Sequence, residues 1–203
     1  MNMQSLPDDR TARARIRDEA LRLFGDRGPD GVTIRDIAAA AGVSPALVIR
    51  HYGAKDGLRE AVDEYVAEVF EAMIAGVVQS GPDAFSQVML PTLAEIVAAS
   101  LPADSAVPAY LGRMLVSGGP AGSALFRRLY QTSRDALSGL AAAGVQAGAD
   151  PAVRAAFLLV NDLAVLILRE RIREVLGIDP LSGAGLRRWG AEVLAVYRDG
   201  VGT

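Results

Sequence analysis

Apolar residues return every three or four positions along almost the whole chain, and clusters of glycine and proline separate many of these runs. That rhythm is the period of an amphipathic α-helix, and no stretch of useful length alternates as a half-buried strand does. The expected fold class is therefore all-α. Ile16, Ala20, Leu21 and Phe24 line a first helix, which Gly25 and Gly28 close before the turn Gly28-Pro29-Asp30-Gly31. Thr33 predicts an N-cap, and Asp36 three residues on completes a capping box. Ile34, Ile37, Ala38 and Ala41 form the buried stripe of a short helix that Gly42 ends. Ser44 predicts the next cap, with Pro45 at the first helical position, where a missing N–H costs nothing. Val43 and Val48 fall at the two staple positions around that start. This helix lasts to Tyr52, Gly53 interrupts it, and another begins near Lys55.

Residues 33–52 thus read helix, three-residue turn, helix, the pattern of a helix-turn-helix. Pattern alone leaves two readings open: a DNA-binding motif, or two ordinary short helices around a glycine. Further helices are expected over about 58–78, 84–100 with a kink at Pro91, 109–116, 123–143, 151–176 and 184–198. Pro102 and Pro108 bracket one loop, and Gly118-Gly119-Pro120 marks another break. The expected architecture is an N-terminal three-helix bundle over residues 1–57 and a larger helical domain over 58–203, about nine helices in all.

Composition narrows the chemistry. At 203 residues, 51% hydrophobic and 22% charged, the chain can enclose a sizeable core and is not a disordered one. It has no Cys, which excludes disulfides, thiolate metal sites and a Cys nucleophile. Its single His, His51, excludes a multi-histidine metal site. No nucleophile–base pair is discernible, so no enzyme activity, catalytic residue, metal or cofactor is assigned. The longest apolar stretch, Ala155 to Leu168, has 14 residues and contains Asn161 and Asp162. It falls short of the roughly 18 that suggest a membrane span. Met1 to Arg10 contains no apolar run of a secretory signal, so a cytoplasmic protein with no membrane partner is expected. Residues 1–60 hold 10 basic and 9 acidic side chains, and the remainder hold 11 and 15, which permits a nucleic-acid-binding head on an acidic body.

The residues of the first quarter are more specific. Thr33-Ile34-Arg35-Asp36-Ile37-Ala38, Ala41-Gly42-Val43-Ser44, His51-Tyr52 and Lys55-Asp56-Gly57-Leu58, preceded by Leu23-Phe24 and Gly28, resemble the signature of the TetR family of bacterial transcription regulators at the family's spacing. The resemblance covers about residues 11–60. Departures are Leu47-Val48-Ile49, where the family often has Thr-Leu-Tyr, Pro29 in place of an aromatic residue, and Ala54 in place of a Ser cap. The usual Tyr makes a phosphate contact that Ile49 loses.

The resemblance implies that the helix from Pro45 to Tyr52 enters the major groove, where the N-terminal residues of such a helix face base edges. Pro45 and Ala46 then offer apolar contact to bases, thymine methyls included. Ser44 and Ile49 belong to the same surface. Arg50, the only long cation on this helix, either contacts guanine or neutralises a phosphate. Arg35 sits at a family position that approaches DNA, and Thr33 caps its helix while offering a donor to a phosphate. Lys55, the sole Lys, is a phosphate contact or a solvated cation. His51 is a phosphate donor by resemblance, and a satisfied side chain near a helix end on its own residue type. Tyr52 reads as core against the first helix. Arg10, Arg13, Arg15 and Arg17 add phosphate contacts, form an arm, or make a solvated basic face.

In the body, the run from Phe157 to Leu168 is apolar on almost every face, so a helix there needs a partner on both sides. Leu186, Trp189, Val193 and Val196 offer a second stripe. By resemblance the last two helices of two subunits form a four-helix dimer interface, for which Leu163, Leu166, Leu186, Trp189 and Val193 are the candidates. Two heads about one helical turn apart then read a palindromic operator on double-stranded DNA. The large side chains Phe70, Met73, Tyr110, Met114, Phe126, Tyr130 and Phe157 are the candidates to line a pocket for a small, largely apolar effector. Asn161 and Asp162 either join that pocket or hydrogen-bond across the dimer or to a neighbouring helix. A ligand-responsive repressor is the leading expectation. A helical small-molecule-binding protein with a vestigial head, or a DNA-binding dimer with no effector, are the alternatives.

Overall fold

Nine helices make up the described part of a computed structural model of the chain, which covers residues 5–79, 100, 101, 104–117, 119–144 and 149–199. They are α1 (Ser5–Arg27), α2 (Ile34–Ala40), α3 (Pro45–Tyr52), α4 (Lys55–Gln79), α5 (Val107–Val116), α6 (Pro120–Ala142), α7 (Pro151–Ile167), α8 (Arg169–Leu176) and α9 (Gly183–Asp199). No strand occurs among the described residues. The fold class is all-α, as the periodicity predicts. The helix expected over 84–100, with its kink at Pro91, lies almost wholly outside the described residues, as do the side chains of Arg10 and Val196.

Helices α2 and α3 are closed by their own side chains. The Thr33 hydroxyl accepts from the Asp36 N–H at 3.2 Å, and the Asp36 carboxylate accepts from the Thr33 N–H at 2.8 Å, so both halves of the capping box form. Gly42 takes the left-handed φ of +64° that a side chain would strain. The Val43 and Gly42 N–H groups return to the carbonyls of Ala38 and Ala39 at 2.9 and 3.2 Å, the two bonds of a Schellman motif. The Ser44 hydroxyl accepts from the Leu47 N–H at 3.2 Å, and Pro45 occupies the first turn. The inter-helix turn is thereby fixed within three residues. Pro108 and Pro120 also sit inside the first turns of α5 and α6, not in the loops before them, because their lost N–H has no helical partner there.

The chain forms two compact units. The first takes residues up to Ala67 together with Ala106–Leu125. The expected head, 1–57, is therefore part of a unit that also includes the start of α4 and the whole of α5. Ile16, Phe24, Ile37, Val48, Leu58, Val62, Tyr110 and Leu111 are fully buried in it. Each Ile, Leu, Val or Phe so buried contributes about 1.5–3 kcal/mol relative to exposure. Helix α5 lies along α1. Arg113 donates from Nε to the Gly25 carbonyl at 2.8 Å and from a terminal nitrogen to the Asp26 carbonyl at 2.7 Å, two of the carbonyls that the end of α1 leaves unpaired. At Gly25 an added Cβ would stand 3.2 Å from the Tyr110 nitrogen and 3.3 Å from the Ala109 Cβ, so α5 would have to shift by a few tenths of an ångström to admit a side chain. The Tyr110 hydroxyl donates to Asp63 at 2.6 Å, and Arg59 lies 3.3 Å from the same carboxylate. Burial, more than any partner, raises both the Asp63 carboxyl and the Tyr110 phenol.

The second unit takes Glu68–Ser105 and Phe126 onward. Its core includes Leu129, Leu137 and Leu140 of α6 with Ala155, Leu159, Leu163 and Leu166 of α7. Asp150 caps α7 by accepting from the Ala152 and Val153 N–H groups at 3.0 and 3.1 Å. The single helix expected over 151–176 is instead two, α7 and α8, bent by 72° at Leu168. The bend falls where the apolar run gives way to Arg169-Glu170-Arg171, which cannot follow α7 along an apolar path. It is held by Arg169, whose guanidinium grips Asp179 with two bonds at 2.9 and 2.6 Å. No single described helix is long and apolar enough to cross a membrane.

Candidate nucleic-acid interface

Helix α3 sorts its residues cleanly between inside and outside. Val48 is fully buried, whereas Ser44, Pro45, Ala46 and Arg50 are exposed and Ile49 retains 45% of its surface. Ile49 is the only large aliphatic side chain of the described part of the first sixty residues left this open, and it lies between the small apolar start of α3 and Arg50. The exposed face is thus apolar at its N-terminal end and cationic at its C-terminal end. Arg35 on α2 is exposed as well. That combination suits a nucleic-acid groove: an apolar edge for base methyls, with guanidinium groups for phosphate or guanine.

Other expected contacts are engaged within the head. The Thr33 hydroxyl donates its proton to Asp36 at 2.7 Å, and its N–H serves the same carboxylate, so the expected phosphate donor is already used by the capping box. Those two bonds, side-chain first, hold the Asp36 carboxyl below its ordinary value. Lys55 is half-buried, and its ammonium donates to the carbonyls of Pro29 and Val32 at 3.1 and 3.3 Å. It ties the α1–α2 turn to the start of α4. His51 is half-buried with its ring edge-on to Tyr52 at 6.3 Å. The Tyr52 hydroxyl donates to the Arg13 carbonyl at 2.7 Å, the contact with the first helix that its residue type predicts. The Arg13 guanidinium stands 5.4 Å from the Tyr52 ring centre, and that of Arg17 stands 3.7 Å from the Tyr65 ring while pairing with Asp18 at 2.7 Å. Arg15 is exposed.

The candidates for the body divide differently from expectation. Leu163 and Leu166, expected at a dimer interface, are buried within the protomer at 4% exposure each. They share the inward face of α7 with Ala155 and Leu159 at helical spacing. The outward stripe is Val153, Phe157 and Val160, more than half exposed, and it ends at Leu168. The spacing of three and four that could have revealed this stripe is present in the sequence, but an all-apolar helix does not say which stripe faces out. Trp189 and Val193 line one cleft of about 420 Å³ in the second unit together with Phe157, Asn161, Leu176 and Ile178. Leu186 is half-buried. Residues expected in two separate sites, an effector pocket and a dimer face, thus meet in one cleft. Tyr110 and Met114 lie in the first unit, and Tyr110 is bonded to Asp63. Phe70, Met73, Phe126 and Tyr130 lie in the second. Phe70 is buried, Phe126 is exposed, and the Tyr130 hydroxyl reaches the Ala152 carbonyl at 3.4 Å.

Comparison with known proteins bears on both units. The model described as bacterial regulatory proteins, tetR family, matches residues 16–62, and the tetracyclin repressor-like C-terminal domain model matches residues 104–203. The HTH-type transcriptional regulatory protein RaaS of Mycobacterium tuberculosis is 39% identical over 154 residues, 75% of this chain and 68% of its own. The regulator BetI of Rhizobium meliloti is 51% identical over 41 residues, 20% of either chain. Among solved structures, AibR in complex with isovaleryl coenzyme A and operator DNA aligns with a TM-score of 0.60 at 19% identity, over 91% of this chain and 97% of that one. SmeT, the repressor of the Stenotrophomonas maltophilia multidrug efflux pump SmeDEF, aligns with a TM-score of 0.61 at 20% identity, over 94% and 93%. At these identities the two structures bear on fold alone.

Proposed function

The chain belongs to the TetR family of bacterial regulatory proteins, and from that premise we propose that it is a transcriptional repressor released from its operator by a small molecule. Residues 1–57 carry the DNA contacts, and the rest of the chain dimerises and receives the effector. The observation that carries the reading is the exposed face of α3. Pro45, Ala46 and Ile49 meet base edges, and Arg50 and Arg35 meet phosphates or guanine. Two copies bring two such helices to the half-sites of a palindrome. The apolar stripe Val153, Phe157, Val160 supports a second copy as the cover for α7, since exposed apolar surface of this kind marks an interface. The effector acts by preferring a dimer whose heads are wrongly spaced, which lowers DNA affinity by the coupling free energy.

Binding of the purified chain to its own upstream intergenic DNA across a salt series tests this. A single palindromic site is expected. Arg50→Ala weakens it by about tenfold, and Arg35→Ala lowers the salt slope by about one if that guanidinium lies on a phosphate. Binding that is weak and indifferent to sequence would sink the reading.

A further inference from the structure

The cleft of the second unit is lined by α7, α9 and the turn that leads into α9. Phe157 and Asn161 come from α7, Trp189 and Val193 from α9, and Ile178 from that turn. Its volume of about 420 Å³ falls in the range of small-ligand sites, roughly 300–1,000 Å³. Phe157 and Trp189, the only tryptophan of the chain, contribute two aromatic side chains, and the rest of the lining is mainly aliphatic. Asn161 supplies one uncharged amide. Asp162, its neighbour on α7, is exposed and lies outside the cleft.

Two features set what can occupy it. The charged residues on its described lining are Arg188 and Glu192, both exposed and four positions apart on α9, hence neighbours on one helix face. A charged head group there meets a like charge about as near as an opposite one, so net charge gains it little. Phe157 belongs at once to the cleft and to the outward stripe of Val153, Phe157 and Val160, and it keeps 56% of its surface open. The mouth of the cleft and the apolar stripe are therefore continuous. A molecule held against Phe157 touches a side chain on which a second copy rests.

We propose that this cleft is the effector site, that it takes a neutral, flat aromatic compound, and that a second copy closes over it. The aromatic body packs against Phe157 and Trp189, where ring contacts add to simple burial. A hydroxyl or carbonyl on its edge reaches the Asn161 amide. A lone protomer leaves one side of such a ligand in water. The second copy covers that side, so the dimer holds the ligand more tightly than the protomer does. By reciprocity the ligand favours dimers in which Phe157 is arranged around it, and occupancy thereby reaches the spacing of the heads. The proposal rests on the effector reading of the second unit and gives it a place at the edge of the dimer face.

The probes are 2-naphthol, 2-naphthoate, 2-naphthylmethylammonium and decahydro-2-naphthol, titrated calorimetrically into the full chain at neutral pH. They share a two-ring body and differ in charge or, in the last case, in flatness. 2-Naphthol is expected to bind at least about fivefold more tightly than each of the other three. Trp189→Leu brings 2-naphthol and decahydro-2-naphthol within about twofold of each other. Val153→Glu charges the stripe outside the cleft. It is expected to give a monomer by light scattering that binds 2-naphthol about tenfold more weakly. Thermal unfolding reports whether each variant is folded, and the wild-type preference together with Val153→Glu decides the matter if Trp189→Leu does not fold. A charged probe that binds as tightly as 2-naphthol, equal binding of the flat and saturated bodies, or a flat-body preference that survives Trp189→Leu overturns the proposal. So does a Val153→Glu chain that stays dimeric or keeps its affinity, or no binding of any probe. Operator binding without ligand is measured alongside. Specific DNA binding without the 2-naphthol preference overturns only this inference, whereas that preference without specific DNA binding overturns only the regulator reading.

Discussion

Helices α3 and α7 both leave surface uncovered, and they do so in opposite ways. Around α3 the helix ends are closed by groups close in sequence: the start of α2 by Thr33 with Asp36, its end by the backbone bonds at Gly42, and the start of α3 by the Ser44 hydroxyl on the Leu47 N–H. What α3 then exposes is small, or cationic, or the single Ile49. Helix α7 is capped at its start by Asp150, but its outward stripe is large and apolar. The first region is complete as a shape and lacks only a ligand. The second is incomplete as a shape, because apolar surface of that size in water costs about 25 cal/mol for each Å² left open. On the proposed reading, the surface that meets nucleic acid is finished locally, and the surface that meets a second copy is left unfinished.

The sharpest way to break this contrast is to charge the stripe. Phe157→Glu is expected to turn a dimer into a monomer by light scattering and to weaken operator binding by about 100-fold, while the helical circular dichroism stays. An unchanged dimer would move the interface away from α7. Gly25→Val attacks the other side. Its side chain crowds Ala109 and Tyr110, so the first unit loses about 1–3 kcal/mol, and unfolding moves several degrees down. Thr33→Ala removes one half of the capping box, an expected loss of about 1 kcal/mol in denaturant titration. Lys55→Met should act like Thr33→Ala, lowering stability while leaving the salt slope of DNA binding nearly unchanged, because its ammonium serves Pro29 and Val32. A slope lowered by a full unit would return Lys55 to the phosphates. The smallest effect is a pH dependence. Arg169 holds the Asp179 carboxyl below its ordinary value, first through their hydrogen bonds. The native state therefore binds that proton less readily than the unfolded chain. The contribution is whole above the ordinary Asp value and fades as pH falls through the lowered one. Asp179→Asn should flatten the acid limb of the unfolding curve and leave a uniformly less stable protein at neutral pH.

Where the chain punctuates itself, the sequence is readable. Gly28, Gly42, Ser44, Pro45 and Gly53 mark real boundaries because each acts through its own backbone or the next few residues. The exposed face of α3 is equally legible, since position on a short helix decides exposure. Reading fails where the deciding partner is remote. The break at Leu168 depends on Arg169 finding Asp179 ten residues on, just past the far end of α8. The inward turn of Leu163 and Leu166 depends on what the rest of the second unit places against α7, which an all-apolar stripe cannot encode. Thr33 and Lys55 were legible as polar groups near DNA, but not as donors already engaged, because their acceptors compete at short range with a ligand the spacing alone suggests.

Arg113 and Tyr110 reach the first unit from far along the chain: Arg113 Nε meets a carbonyl 88 residues earlier. Bringing such distant segments together carries a loop-closure entropy that local capping does not. On the ribosome, α2 and α3 therefore emerge well before the helix that locks α1. A nascent chain ending near residue 60 has its turns set and its Gly25 surface still open. The first unit gains the partner of its Gly25 surface only once α5 has been translated and has closed against α1, so a local head is completed by a segment far along the chain.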